Sequence, residues 1–233
     1  MSDFVLVHGA WHGAWCWQRI VTPLWAAGHR AFAVTLTGSG ERAHLLAPTI
    51  SLQTHITDVV NVIEAEELHD AILVGHSYAG MLITGVADRL AHRLAHLVYV
   101  DAVVPHPGES WSSSHSDETR AQRRKAIADT GTIPAPDPAV FGLAGADHAW
   151  VARHQTPHPG GVYDEPLHFD AKRLEALSKT FIDCTDPALA TIAGSRLRVR
   201  SEPGWRVVEI ATGHEAMVSA HCALLDHLLQ LAR

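Results

Sequence analysis

Six short apolar runs, separated by segments of helical periodicity, set the tightest limit on what this chain can fold into. The runs span 4–7, 31–34, 71–74, 97–100, 180–182 and 206–210, and most are apolar at consecutive positions. Such runs mark strands covered on both faces. Helical spacing of apolar residues falls at 15–27, 54–68, 81–90 and 218–231. Strand–helix–strand alternation predicts a doubly wound, mostly parallel α/β sheet with right-handed crossovers. Ligands of these sheets bind beyond the carboxyl ends of the strands, so the chemistry is sought there.

The rhythm breaks between 105 and 174, where Pro, Gly, His and Ser are frequent and no strand is evident. Residues 118–129 and 138–153 look partly helical. Trp111, Phe141, Leu143 and Trp150 lie in the same stretch, and a disordered linker has no use for such side chains. The stretch is read as a helical cap inserted after the strand that ends near Asp101. That divides the 233 residues into a core at 1–104 and 175–233 and a cap at 105–174, a length suited to one domain.

Gly75-His76-Ser77-Tyr78-Ala79-Gly80 follows the run at 71–74 and opens the helical segment at 81–90. A serine between small residues at a strand-to-helix turn is the nucleophile elbow: the turn is strained, and bulky neighbours would clash with strand and helix. Ala79 stands where the second glycine usually lies, with Gly80 one position later. Ser77 is therefore the candidate nucleophile. A serine hydroxyl needs a base at neutral pH, and an imidazole titrates in the right range. His214, in Gly213-His214-Glu215 after the last strand, is the candidate. The Ser…acid…His order places a carboxylate between them, commonly after the penultimate strand. Asp186 is the first choice, Asp183 the second, and Asp101, at the end of the 97–100 run, the third.

The oxyanion donors are expected to be the backbone amides of Tyr78 and of Ala10, the latter in the loop His8-Gly9-Ala10-Trp11-His12 after the first strand. Gly9 is expected to let that loop bend. Gly9, Trp11, His12 and Trp111 are the candidate pocket residues, whereas Trp15 and Trp17 read as core. Gly38-Ser39-Gly40 lacks a third glycine and lies after the second strand, which argues against a dinucleotide site.

Several function classes are disfavoured. The net charge is −7, and Arg120, Arg123, Arg124 and Lys125 read as the wet face of a helix, so nucleic acid is not an expected partner. No apolar run reaches the ~18 residues of a membrane span, and the N-terminus lacks a basic leader. Cys16, Cys184 and Cys222 are odd in number and far apart, which fits a reducing cytoplasm and no cysteine metal site. The 18 histidines show no metal-ligand spacing. No cofactor or metal is expected, and a homodimer is admitted.

Leu6-Val7-His8-Gly9-Ala10-Trp11-His12-Gly13-Ala14-Trp15, Ala26-Ala27-Gly28-His29, Val74-Gly75-His76-Ser77, the stretch at 98–105, Phe181-Ile182-Asp183-Cys184-Thr185 and Gly213-His214-Glu215-Ala216-Met217 together resemble the α/β-hydrolases. The nearest likeness is to the group of plant methyl-ester esterases, hydroxynitrile lyases and pyrethroid-type esterases. The resemblance implies a serine esterase with Ser77, His214 and a carboxylate near Asp186, acting on a small hydrophobic or aromatic carboxylic ester through an acyl-enzyme. The lyases of the group carry threonine at the position of Gly9 and lysine at that of Glu215, and an acidic Glu215 is expected to repel developing cyanide, favouring ester hydrolysis. A non-hydrolytic lyase or cyclase on the same scaffold, or a binding protein that keeps the pocket, are the alternatives.

Overall fold

In the computed structural model, which describes residues 1–232, all six runs form one parallel sheet. The strands are β1 (Asp3–Val7), β2 (Arg30–Val34), β3 (Ala71–His76), β4 (Leu94–Val100), β7 (Ser178–Cys184) and β8 (Trp205–Ile210). Their order is β2-β1-β3-β4-β7-β8, with every neighbour parallel. Two further strands, β5 (Thr132–Ile133) and β6 (His158–Pro159), pair antiparallel in the 105–174 stretch, where no strand was expected.

The sheet is covered on both faces, and the strand alternation shows it. Val5 and Val7 of β1, with Leu73 of β3 and Leu97 and Tyr99 of β4, join one buried cluster. Phe4, Leu6, Ile72, Val74, Val98 and Val100 join the other. The first face is packed by α2 (Leu52–Ala65) and α3 (Ala79–Leu90), and the second by α1 (Gln18–Ala26), α8 (Ala216–Ser219) and α9 (His221–Leu231). Every residue of β3 is buried. Withdrawing a Leu, Ile or Val side chain from water is worth roughly 1.5–3 kcal/mol, so β3 is a rigid base for the turn that follows it. Helix α2 starts on a capping box in which the Ser51 side chain accepts from the Thr54 amide. Helices α2 and α3 touch so closely that a Cβ on Gly85 would meet Ile56 at 2.4 Å.

Between β4 and β7 lie α4 (Asp117–Thr130), α5 (Gly145–His154) and the single turn α6 (Ala171–Glu175). Helix α4 is capped by Ser116 at its start and by the left-handed Gly131 at its end. The remaining helix, α7 (Ala193–Ser201), has no counterpart among the expected helices. Its Leu197-Arg198-Val199-Arg200 alternates apolar and basic residues like a strand edge, and only Ser195 and Val199 are buried. Among the described residues no helix is long and apolar enough to cross a membrane.

Candidate active site

The turn from β3 into α3 holds Ser77 at φ 56°, a left-handed conformation that a residue with a Cβ adopts only under strain. Three hydrogen bonds hold it there. The Ser77 amide donates to Val100 O at 3.2 Å, and its carbonyl accepts from Gly80 N at 3.1 Å and Val103 N at 3.0 Å. The small neighbours are required by close approach. A Cβ on Gly80 would lie 1.8 Å from Val103 O, and one on Gly75 would lie 2.9 Å from Ala79 O. Ala79, where the motif usually has its second glycine, is fully buried, while the glycine at 80 is required by its own approach to Val103.

Two more residues at this end of the sheet share the left-handed region, Trp11 at φ 68° and Asp101 at φ 42°. The bend after β1 thus falls at Trp11 rather than at Gly9. Gly9 has a different constraint: a Cβ there would lie 2.8 Å from both the Ser77 Cβ and His76 Nδ1. The Trp11 amide donates to His158 Nδ1 at 3.4 Å, and its indole N–H donates to Ile133 O at 3.0 Å. Among the described residues the amides of Ala10 and Tyr78 have no protein acceptor.

Ser77 and His214 line one cavity of about 130 Å³, together with Trp11, Trp111, Arg123 and Phe141. The His214 ring donates from Nδ1 to Asp101 Oδ2 at 2.6 Å. Its amide donates to Phe141 O at 3.0 Å, and its carbonyl accepts from His76 Nε2 at 3.0 Å. Burial holds the His76 pKa well below the ordinary imidazole value, so that ring is a neutral donor. Gly213 does not have a positive φ; it is needed because a Cβ would lie 2.4 Å from Phe141 O. Gly213→Ala should therefore push the histidine loop off Phe141. We expect a loss of about 1–3 kcal/mol from overpacking and a lower turnover, read by thermal melting alongside ester hydrolysis. An unchanged melting temperature would contradict this packing.

The carboxylate at His214 is Asp101, not Asp186. Strands β3 and β4 pair with His76 opposite Val100, so the residues just beyond them, Ser77 and Asp101, are neighbours. Asp186 lies past β7 in a segment that runs beside the end of β8, its amide donating to Thr212 O at 2.9 Å, and its side chain is exposed. Asp183 is buried but faces Arg196 and Arg200. Arg196, on α7, was not among the expected site residues. It donates to Asp101 Oδ1 at 2.6 Å and also binds Asp183 and the carbonyls of Cys184 and Leu189. Asp101 is thus gripped from two sides, by the imidazole and by a guanidinium.

Two pocket expectations also change. His12 is buried away from the cavity, its ring stacked on Trp15 and its Nε2 3.4 Å from Glu215 Oε1. Glu215 is fully buried on that same side and does not line the cavity with Ser77. A carboxylate oxygen of Glu215 nevertheless lies within 4.8 Å of a ring nitrogen of His214, so its charge acts on the site from behind the imidazole rather than from the cavity wall. Trp11 and Trp111 do line the cavity, their ring centroids 5.9 Å apart.

The parallel sheet, the strained serine at a strand end and the imidazole from the far end of the chain define a hydrolase-type scaffold. Residues 4–227 match the alpha/beta hydrolase family, and the chain belongs to it. It is 40% identical, over 99% of its length and 100% of the relative's, to a carbendazim hydrolyzing esterase of a Nocardioides species. It is 28% identical, over 99% and 97% of the two lengths, to the probable esterase PIR7A of rice, Oryza sativa. Among solved structures, an extracellular alpha/beta-hydrolase from a Paenibacillus species superposes with a TM-score of 0.84 over 98% of each chain, at 22% identity.

Proposed function

We propose that this chain is a serine carboxylic ester hydrolase in which Ser77, His214 and Asp101 act as the triad. One observation carries the reading. A serine with a strained, positive φ faces the same cavity as an imidazole whose other nitrogen is bound to a buried carboxylate. With Nδ1–H committed to Asp101, Nε2 of His214 is left as the base. It takes the Ser77 proton as Oγ attacks the ester carbonyl, and the resulting oxyanion sits on the amides of Ala10 and Tyr78. The tetrahedral adduct expels the alcohol, which receives the proton from His214. Water, activated by the same imidazole, then releases the acid and frees Ser77.

Residues 105–174 act as a cap, supplying Trp111, Phe141 and Val140 to the cavity wall. Those side chains and a volume of about 130 Å³ suit a small ester with a hydrophobic or aromatic part. The Nocardioides relative makes carbendazim the first particular compound to try. Cys16, Cys184 and Cys222 are all free thiols, and we place the enzyme in the cytoplasm.

A radiolabelled alkyl phosphonofluoridate tests this reading. The protein should hydrolyse short p-nitrophenyl esters and take up one phosphonyl group per chain. Peptide mapping should find that group on Ser77, and excess ester should protect it. Label on another residue, or an absence of hydrolysis, would overturn the proposal.

A further inference from the structure

Helix α4 carries four basic residues, and three of them follow the expectation of a solvated face. Arg120 pairs with Asp117, Arg124 with Asp164 and Lys125 with Asp129. Arg123 does not. It turns inward, lines the cavity that holds Ser77 and His214, and also lines a second cavity of about 290 Å³. Trp11 and Pro136 belong to both walls as well.

The guanidinium of Arg123 lies 4.9 Å from the Trp111 ring, 5.3 Å from Trp11 and 5.6 Å from Tyr163. It donates from Nη1 to His115 Nε2 at 3.0 Å. Burial and the neighbouring Arg123 and Arg120 lower the His115 pKa to about 3, so that ring is a neutral acceptor. Among the described residues no carboxylate is within ion-pair distance of Arg123. Aromatic faces favour a cation but do not satisfy its N–H groups, and a guanidinium offers five donors in a planar fork that matches a carboxylate. Arg123 is half-buried, and its polar partners, the His115 ring and the Tyr163 hydroxyl, are uncharged, so a partly desolvated cation at the cavity wall has no counter-charge and is stabilised when an anion joins it.

We propose that Arg123 is the recognition group for a carboxylate on the substrate, so that this site prefers esters bearing a free carboxylate at the end remote from the scissile bond. The inference rests on the ester-hydrolase reading and names its substrate class. The ester carbonyl would sit at Ser77 and the remote carboxylate at Arg123, bounded by Trp11 and Trp111.

The test compares monomethyl adipate with methyl hexanoate, which differ chiefly in the terminal carboxylate, on the wild-type protein and on Arg123→Gln and Arg123→Lys. The wild type should favour the half-ester through KM. Arg123→Gln should raise the KM of the half-ester about 10- to 100-fold, the range of a charged hydrogen bond, and leave that of methyl hexanoate unchanged. Arg123→Lys should recover part of the difference. Equal effects on both esters would mean that Arg123 only packs the aromatic cluster, and would overturn the inference while leaving ester hydrolysis intact. Calorimetric titration with free adipate decides the matter without turnover. Binding weakened at least tenfold in Arg123→Gln supports the carboxylate site, and equal affinities refute it even if no ester is hydrolysed.

Discussion

Asp101→Asn should hydrolyse a p-nitrophenyl ester about 10⁴-fold more slowly than the wild type, as when a triad carboxylate becomes an amide. Asp186→Asn should be indistinguishable from wild type. The reason is the tautomer. Asp101 Oδ2 accepts the Nδ1 proton of His214 at 2.6 Å, which leaves Nε2 free to take a proton from Ser77. An amide can offer its NH₂ to Nδ1 instead, which moves the imidazole proton to Nε2 and removes the base. Arg196 sharpens the effect. It donates to Asp101 Oδ1, so in the variant the amide oxygen is drawn to Arg196 and the NH₂ is turned toward the histidine. The loss should lie in kcat, with KM changed little. If Asp186→Asn were the crippled enzyme and Asp101→Asn the active one, the triad assignment would be wrong.

The protein should also lose stability on mild acidification, starting near pH 6.5, well above the range in which carboxylates titrate. Burial lowers the His8 pKa to about 3 and that of His55 to about 4, and holds His76 and His158 well below the ordinary value. Each such ring is neutral in the fold but takes a proton in the unfolded chain. Its contribution is therefore complete above the unfolded value of about 6.5 and is lost as the pH falls toward the folded one, at about 1.4 kcal/mol per pH unit. His8 and His55 alone then withdraw roughly 4 kcal/mol by about pH 5, against a total stability of about 5–15 kcal/mol. Specific bonds go with them. His8 Nε2 accepts the Leu36 amide at 3.1 Å, His55 Nδ1 meets the Tyr78 hydroxyl at 3.2 Å, and His158 Nδ1 accepts the Trp11 amide. None of these acceptors survives protonation. For a chain of this length the melting temperature should drop by about 10 °C between pH 7.5 and pH 5. A melting temperature that stays flat over that interval would refute the neutral-histidine account.

The sequence was most informative where a backbone constraint leaves few residue types. The crowding around Ser77 leaves no room for a Cβ at 75 or 80, so the elbow was legible, as was the histidine beside the cramped Gly213. Most of the strands were legible because burial on both faces leaves near-continuous apolar runs, as in β3, where every residue is buried; β8, at the sheet edge, keeps Arg206 and Glu209 exposed and was marked by its valines and isoleucine. The acid was harder. All strands of a parallel sheet end on the same side, so Asp101 after β4 and Asp186 after β7 are equivalent in sequence. Only the pairing of β4 beside β3 puts Asp101 next to Ser77. Helix α7 was hidden by its alternating Leu-Arg-Val-Arg, and with it Arg196. Arg123 looked like its solvated neighbours because a single inward turn of a long side chain leaves no periodic trace. The charge of Glu215 is plain in the sequence, but its place beside His12, 3.4 Å away and off the cavity wall, is a matter of tertiary packing.

Phe141 accepts the His214 amide through its carbonyl and lines the substrate cavity with its ring. The cavity wall and the proposed base, His214, are therefore joined through one backbone hydrogen bond. Laboratory evolution aimed at bulkier esters that enlarges the wall at Val140 or Phe141 will also retune the base, so gains in scope should be accompanied by altered pH–rate profiles.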